Sequence, residues 1–435
     1  MKKTFLASIL AIACLGINAQ VQCWNDSTGL IPLNDLGTGY YNGMQGGLYL
    51  SGTNIMPLSH KKKGNNYSKQ FKPLDSLGNI NYEEGEILML AFGASIASNA
   101  INAFGDSLVT YDFEGVSNCV SIKSMCFGGK DLDYMIDTAS DNYWDGVRNR
   151  MADRGDTYAQ VQIAWLMQQS DGDSTDDFLT YFNSVSAKYV TLLQMMKDSF
   201  PNLKQIFISG MHYTGYMDPN HDRYPSFSNP HDYWGNLVIR DLIVRQISGD
   251  PALKYKGIAP AVPWLAWGPY FWADGVNPRQ TDLLSWKCEQ FRTDLTGGGF
   301  HLINEPESLG VEAHMLLNFF ETNPVAKTWY LDGILWAGCP EDTTRKENEN
   351  LPLPQKSLLV YPNPAHNDVL IKLPELIQGE FTVEILDEIG RTVTFDRYSN
   401  YNTVSIPMSI NLTKGLYFIS VISSTEKLIT KFIVQ

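Results

Sequence analysis

The sequence predicts a three-layer α/β/α domain on a parallel sheet, followed by a small all-β sandwich. Two observations carry the first part and one the second. Apolar runs of strand length recur between residues 86 and 262, and segments of helical periodicity separate them. Beyond residue 357 the pattern changes to short alternating runs with turn residues between them.

Met1 to Ala19 has a Lys2-Lys3 start, an apolar run from Phe5 to Ile17 and a small residue at Ala19, the layout of a cleavable secretory signal. That run is too short to span a bilayer, and no later segment is a span candidate, so an integral membrane protein is not expected. Of the 435 residues, 47 are acidic and 33 basic, giving a formal charge of −14 with the acidic groups scattered. Nucleic acid is therefore not an expected partner. Beyond the signal stand Cys23, Cys119, Cys126, Cys288 and Cys339. Export permits oxidation of some of them, and an odd number leaves at least one unpaired within the chain. No Cys/His spacing of a zinc site occurs, and no cofactor is expected.

From Trp24 to about Tyr82 the chain is rich in Gly, Asn and Pro, so a long irregular lead-in laid over the domain is expected, with Lys61 to Lys63 at a solvated loop tip. Ile87 to Phe92 is an unbroken apolar run limited to strand length by Gly85 and Gly93. Gly93 allows a tight turn that presents Ser95 just past the carboxyl end of the strand, where open α/β sheets place their ligands. Ser95 is thus a candidate nucleophile; the alternative is a helix cap. Further strands are expected at Asn118 to Met125, Ala159 to Met167, Lys204 to Ser209 and Ile258 to Val262. Asp176 to Phe200 is helical, with Phe178, Phe182, Val185, Tyr189, Leu192 and Met196 on one face, a capping pair in Ser174 and Asp177, and Pro201 as its stop. Tyr233 to Ile247 and Pro306 to Glu321 are the other strong helices, the second with Pro306 in its first turn.

A serine nucleophile needs a base and oxyanion donors. His301 is the best base candidate: it follows Gly297-Gly298-Gly299 and has Asp294 seven residues before it. His212, with Tyr213 beside it, follows the fourth strand and could line the pocket. His221 and His231 share a polar loop with Asp222 and Asp232, in a spacing that matches no recognised metal site. Donors for the oxyanion would come from the Ser95 amide, from Gly128 or Gly129, and from a side chain among Gln168, Gln169 and Ser170. The stretch PWLAWGPYFWADG, with its Gly and Pro breaks, is expected to form a loop wall on which Trp267, Tyr270 and Trp272 stack against sugar rings.

These blocks resemble the SGNH or GDSL-like hydrolases, whose fold is a flavodoxin-like α/β/α sandwich. The literal Gly105-Asp106-Ser107-Leu108 is a competing match, but no apolar strand runs into it. LGTGYYNGMQGGLY, AWLMQQ, FPNLKQIFISGMHYTGY, GDPALKY, PWLAWGPYFWADGVNPR and LLNFFETNPVAKTWY are similar to a bacterial SGNH-like group of unsettled substrate, over roughly Trp24 to Trp336. The resemblance implies Ser95 as nucleophile, Gly129 as oxyanion donor and His301 as base. It also implies an ester, here of a carbohydrate, as substrate. Two positions depart from the family. Gly298 stands three before His301, where the family has its acid, which leaves Asp294 for that role. Ser170 or an adjacent glutamine stands where the family has asparagine. A scaffold that binds glycans without catalysis is the alternative expectation.

Residues 338–356 are charged and Pro-containing, and read as a linker after a domain at 20–337. Seven strand-like runs follow within 357–435, which suit an immunoglobulin-like sandwich such as a carbohydrate-binding module. YPNPAHNDVLI, DEIGR, LTKGLYFISV and KLITKFIVQ instead resemble the C-terminal sorting domain of the type IX secretion pathway. That resemblance implies the type IX machinery as a partner and a final location outside the cell or on the outer-membrane surface of a Gram-negative bacterium, via the periplasm.

Overall fold

The structure, a computed structural model, describes residues 23–331 and 358–434 apart from 112–115, 139–142, 169–176, 225 and 294–297 in the first stretch and 362–364, 366–367, 374–378, 388–390, 400–404 and 424–426 in the second. The described residues form two separate hydrophobic cores, one before residue 332 and one after 357.

The first core surrounds a five-stranded parallel sheet. In chain order its elements are α1 (Leu58–Ser68), β1 (Ile87–Gly93), α2 (Ser95–Tyr111), β2 (Val120–Cys126), α3 (Leu132–Ile136), α4 (Tyr143–Asp153), β3 (Val161–Met167), α5 (Phe178–Ser199), β4 (Gln205–Ser209), α6 (His231–Ser248) and β5 (Trp264–Trp267), then the short pair β6 (Phe291–Arg292) and β7 (His301–Leu302), and α7 (Leu309–Thr322). The strand order is β2-β1-β3-β4-β5, all parallel. β1, β3 and β4 are buried along their whole length, as largely apolar strands covered on both faces should be. On one face Phe207 meets Phe319 of α7 and Trp264, which stacks on His60 of α1. On the other, Phe92 packs on Trp144 of α4 and on Phe200, the residue after α5.

Helical periodicity located α5 and α6 to within a turn. Asp177 caps α5, its carboxylate accepting from the Thr180 amide, while Ser174 lies outside the described residues. Three expectations are corrected. The fifth strand is Trp264–Trp267 rather than Ile258 to Val262, a segment with Pro260 at its centre, Ala259 at φ 52° and Ile258 almost fully exposed. α7 begins at Leu309, so Pro306 precedes it. Lys61 to Lys63 lie in a helix, not a loop tip. Gly105 to Leu108 lie inside α2, which explains why the literal motif has no strand before it.

The second core lies between two antiparallel sheets. One holds β8 (Leu359–Tyr361), β9 (Asp368–Lys372) and β12 (Ser405–Ser409), and the other β10 (Glu380–Leu386), β11 (Thr392–Ser399), β13 (Gly415–Ser423) and β14 (Lys427–Val434). Among the described residues, seven strands stand where seven alternating runs were expected. Among the described residues no helix is long and apolar enough to cross a membrane.

Candidate active site

The chain runs from β1 outward to β2 and then returns to β3 on the other side of β1, so the strand order reverses at β1. At such a reversal the loops leave the strand ends in opposite directions and open a crevice between them. Here that crevice lies beyond Gly93 and Met167, which are register partners. The two backbones approach so closely that a Cβ on Gly93 would collide with the Met167 carbonyl oxygen and with Ala97. Glycine is thus required, and the chain turns directly into α2, with Ser95 as its first residue. The unpaired amides of this first turn carry the positive end of the helix dipole.

Ser95 Oγ lies 2.8 Å from Nε2 of His301, 206 positions away in the chain. His301 sits on β7, held by pairing with Arg292 of β6, and is nearly buried. Phe127 to Lys130 makes a turn after β2 in which Gly129 adopts φ 72°, and a Cβ on Gly128 would lie in ordinary contact with that of Ser95. Ser95, Gly129, Gln168 and His301 all line one cavity of about 330 Å³. Its apolar wall includes Met167, Met211, Phe227 and Phe300, and Asp131, His221, Asp222 and Arg223 complete the lining.

Residues that nothing in the sequence marked hold this arrangement. The Tyr143 hydroxyl accepts from the Gly93 amide (3.2 Å) and donates to the Met125 carbonyl (3.0 Å), fastening the ends of β1 and β2 together. Arg150 donates to the Ser124 and Cys126 carbonyls and lies over the Phe127 ring. Gln168 lines the cavity, but its amide nitrogen donates to the Lys130 carbonyl at 2.8 Å, so its role is to brace the glycine turn. Asp131 caps α3 beside the cavity; burial and the neighbouring Asp133 push its carboxyl up, and Arg223 opposes them.

Several expected site residues lie elsewhere. Trp267, Tyr270 and Trp272 are 2 %, 5 % and 0 % exposed, so the aromatic stretch is core rather than a stacking wall. The polar tips of these three side chains are occupied inside the fold. Trp267 Nε1 donates to the Leu48 carbonyl, Trp272 Nε1 donates to Asp232, and the Tyr270 hydroxyl accepts from the Leu33 amide. Two of these three partners belong to the lead-in, which covers the stretch. Tyr213 is fully buried and donates to the Asn25 carbonyl. His212 is buried away from the cavity against Glu312. Asp294 and Ser170 lie outside the described residues. Gly298, three residues before His301, has φ 59°, and a Cβ there would collide with the Phe300 ring and come within 2.9 Å of His221, so an aspartate is not accommodated there.

Among the described residues no cluster of side chains could hold a metal ion, and the loop of His221 and His231 does not form one. His231 packs against Tyr181 and Trp234. Asp232 is fully buried, and burial pushes its carboxyl up to about 6 despite donors from Thr214, Tyr233 and Trp272. Cys23 is bonded to Cys288, Cys119 is also in a disulfide, and Cys126 is buried and free, its thiol pushed up to about 12 by burial.

Residues 359–435 match the secretion system C-terminal sorting domain. The match marks the chain as an exported protein. No curated protein matches the sequence. Over 19 % of this chain and 100 % of its own, a Bacteroides vulgatus protein described as a DUF3244 family protein with an immunoglobulin-like β-sandwich is similar at 17 % identity, with a TM-score of 0.16. An acetyl xylan esterase is similar over 41 % of this chain and 91 % of its own, at 15 % identity and a TM-score of 0.24. A protein of Arabidopsis thaliana is similar over 53 % of this chain and 66 % of its own, at 12 % identity and a TM-score of 0.25. Scores this low carry no functional weight.

Proposed function

We propose that the first part of the chain is a serine esterase of the SGNH type that removes short acyl groups, acetyl above all, from carbohydrate. The type IX machinery would export it by way of the sorting domain. The observation that carries the reading is the 2.8 Å contact of Ser95 Oγ with His301 Nε2, at the reversal point of a parallel sheet and inside a cavity. In this reading Ser95 Oγ attacks the ester carbonyl while His301 Nε2 takes its proton. The developing oxyanion is met by amides at the start of α2 and by the Gly129 amide. His301 then returns the proton to the departing sugar hydroxyl, and water hydrolyses the acyl-serine by the same steps in reverse roles. The apolar wall suits a short acyl chain, and the carboxylates of Asp131 and Asp222 suit a leaving group rich in hydroxyls.

A glycan-binding protein without catalysis is the second reading, favoured by Gly298 at the acid position. One assay separates the two. Protein lacking the sorting domain should turn over p-nitrophenyl acetate and release acetate from acetylated polysaccharide. Binding of the polysaccharide without release of acetate would overturn the esterase reading.

A further inference from the structure

We propose that His212 and Glu312 are positioning residues for His301, and that their hold depends on a proton they share. The inference rests on the esterase reading for its catalytic consequence, though the geometry stands apart from it. His212 lies three residues beyond β4, Glu312 is in α7, both side chains are fully buried, and neither lines the cavity. Nδ1 of His212 is 2.7 Å from Glu312 Oε1, and Nε2 is 2.9 Å from the carbonyl oxygen of Phe300, in the peptide bond that enters His301.

A carbonyl has no proton, so Nε2–H must donate to Phe300. The contact between Nδ1 and Glu312 needs a second proton, carried by the ring or by the carboxyl. If that proton leaves, one of the two contacts becomes a pair of facing lone pairs, and either the Phe300 carbonyl or Glu312 is released. The ring lies against Trp286 and against Phe291, which pairs with Leu302 of β7, so loosening it disturbs the strand that carries His301. Glu312 Oε2 is buried with no hydrogen-bond partner among the described residues, so no second donor relieves the carboxylate. Asp232, at the start of α6, is the other charged group facing His212.

Burial by itself favours the neutral ring, but the charge and hydrogen bond of Glu312, the Phe300 carbonyl and Asp232 together raise the His212 pKa above its ordinary value. The sign follows. A histidine raised in the folded state contributes stability that is fully present below its unfolded value and is lost as pH rises through its folded value.

Glu312→Gln tests this, because an amide can donate N–H to Nδ1 while Nε2–H still donates to Phe300, with no shared proton to lose. The wild-type melting midpoint and kcat for p-nitrophenyl acetate should both fall as pH rises beyond the ordinary histidine value, and E312Q should flatten both falls. Glu312→Ala should lower kcat ~10–100-fold with little change in KM, as expected for a displaced base. Parallel melting curves against pH for wild type and E312Q would overturn the proposal, and so would an unaltered kcat in a folded E312A. If E312A does not fold, the comparison of wild type with E312Q decides. If wild type shows neither turnover nor labelling of Ser95 by a fluorophosphonate, the esterase reading fails, and the melting curves still decide whether the shared proton holds the strand.

Discussion

Ser95 separates nucleophile from scaffold at one atom. Its hydroxyl faces His301 and the cavity rather than capping α2. Ser95→Ala should therefore shift stability by no more than about 0.5 kcal/mol while abolishing turnover and fluorophosphonate labelling. A helix cap would behave in the opposite way, losing about 1 kcal/mol with activity intact. His301→Ala should be equally inactive, and the double variant no worse than either single one, because groups acting as a unit give non-additive losses. Multiplying losses would mean that the two do not act together. Both residues were legible in the sequence because glycine turns precede them, Gly93 before Ser95 and Gly298-Gly299 before His301, and glycine marks where backbone must turn or approach closely. His212 was not. A histidine after a strand can face the cavity or the core, and only the placement of Glu312, 100 positions later, decides. Tyr143 and Arg150 were equally silent, since their hydrogen bonds go to main-chain groups that have no sequence signature.

At the level of elements, strands buried on both faces and helices with a clear apolar period could be read, and the return loop after β5 could not. Glycine and proline breaks look the same in an exposed wall as in a buried loop whose carbonyls are satisfied from within. Here the buried Arg279 guanidinium donates to the carbonyls of Tyr270 (2.6 Å) and Trp272 (3.1 Å), which lets an irregular aromatic segment lie in the core. The lead-in seals it from outside. Asp274 accepts from the amides of Thr28 and Gly29 and from the Thr28 hydroxyl, and the Cys23–Cys288 bond closes the same clasp across 265 positions. Replacing Cys23 and Cys288 by serine should lower unfolding stability by about 2–4 kcal/mol in urea titrations of the otherwise intact protein. A change near zero would mean that the hydrogen bonds of Asp274 hold the lead-in unaided.

For the molecule as a whole, the two separate cores predict that deleting Leu358 to Gln435 leaves the first part folded, with an unaltered melting midpoint. In the native host the truncated chain should collect in the periplasm; normal delivery to the surface would rule out a sorting role for the tail. The change of pattern beyond residue 357 made this division readable, because β-sandwich and α/β sequences differ in period as well as composition. The clasp has a further consequence for timing. Cys288 opens the segment that continues into β6, and β6 is the pairing partner of the strand bearing His301. A bond that forms only in oxidising surroundings therefore secures the strand that carries His301. In the esterase reading, a chain in reducing surroundings would carry its base on an unfastened support, so completion of the site would be tied to arrival in an oxidising compartment.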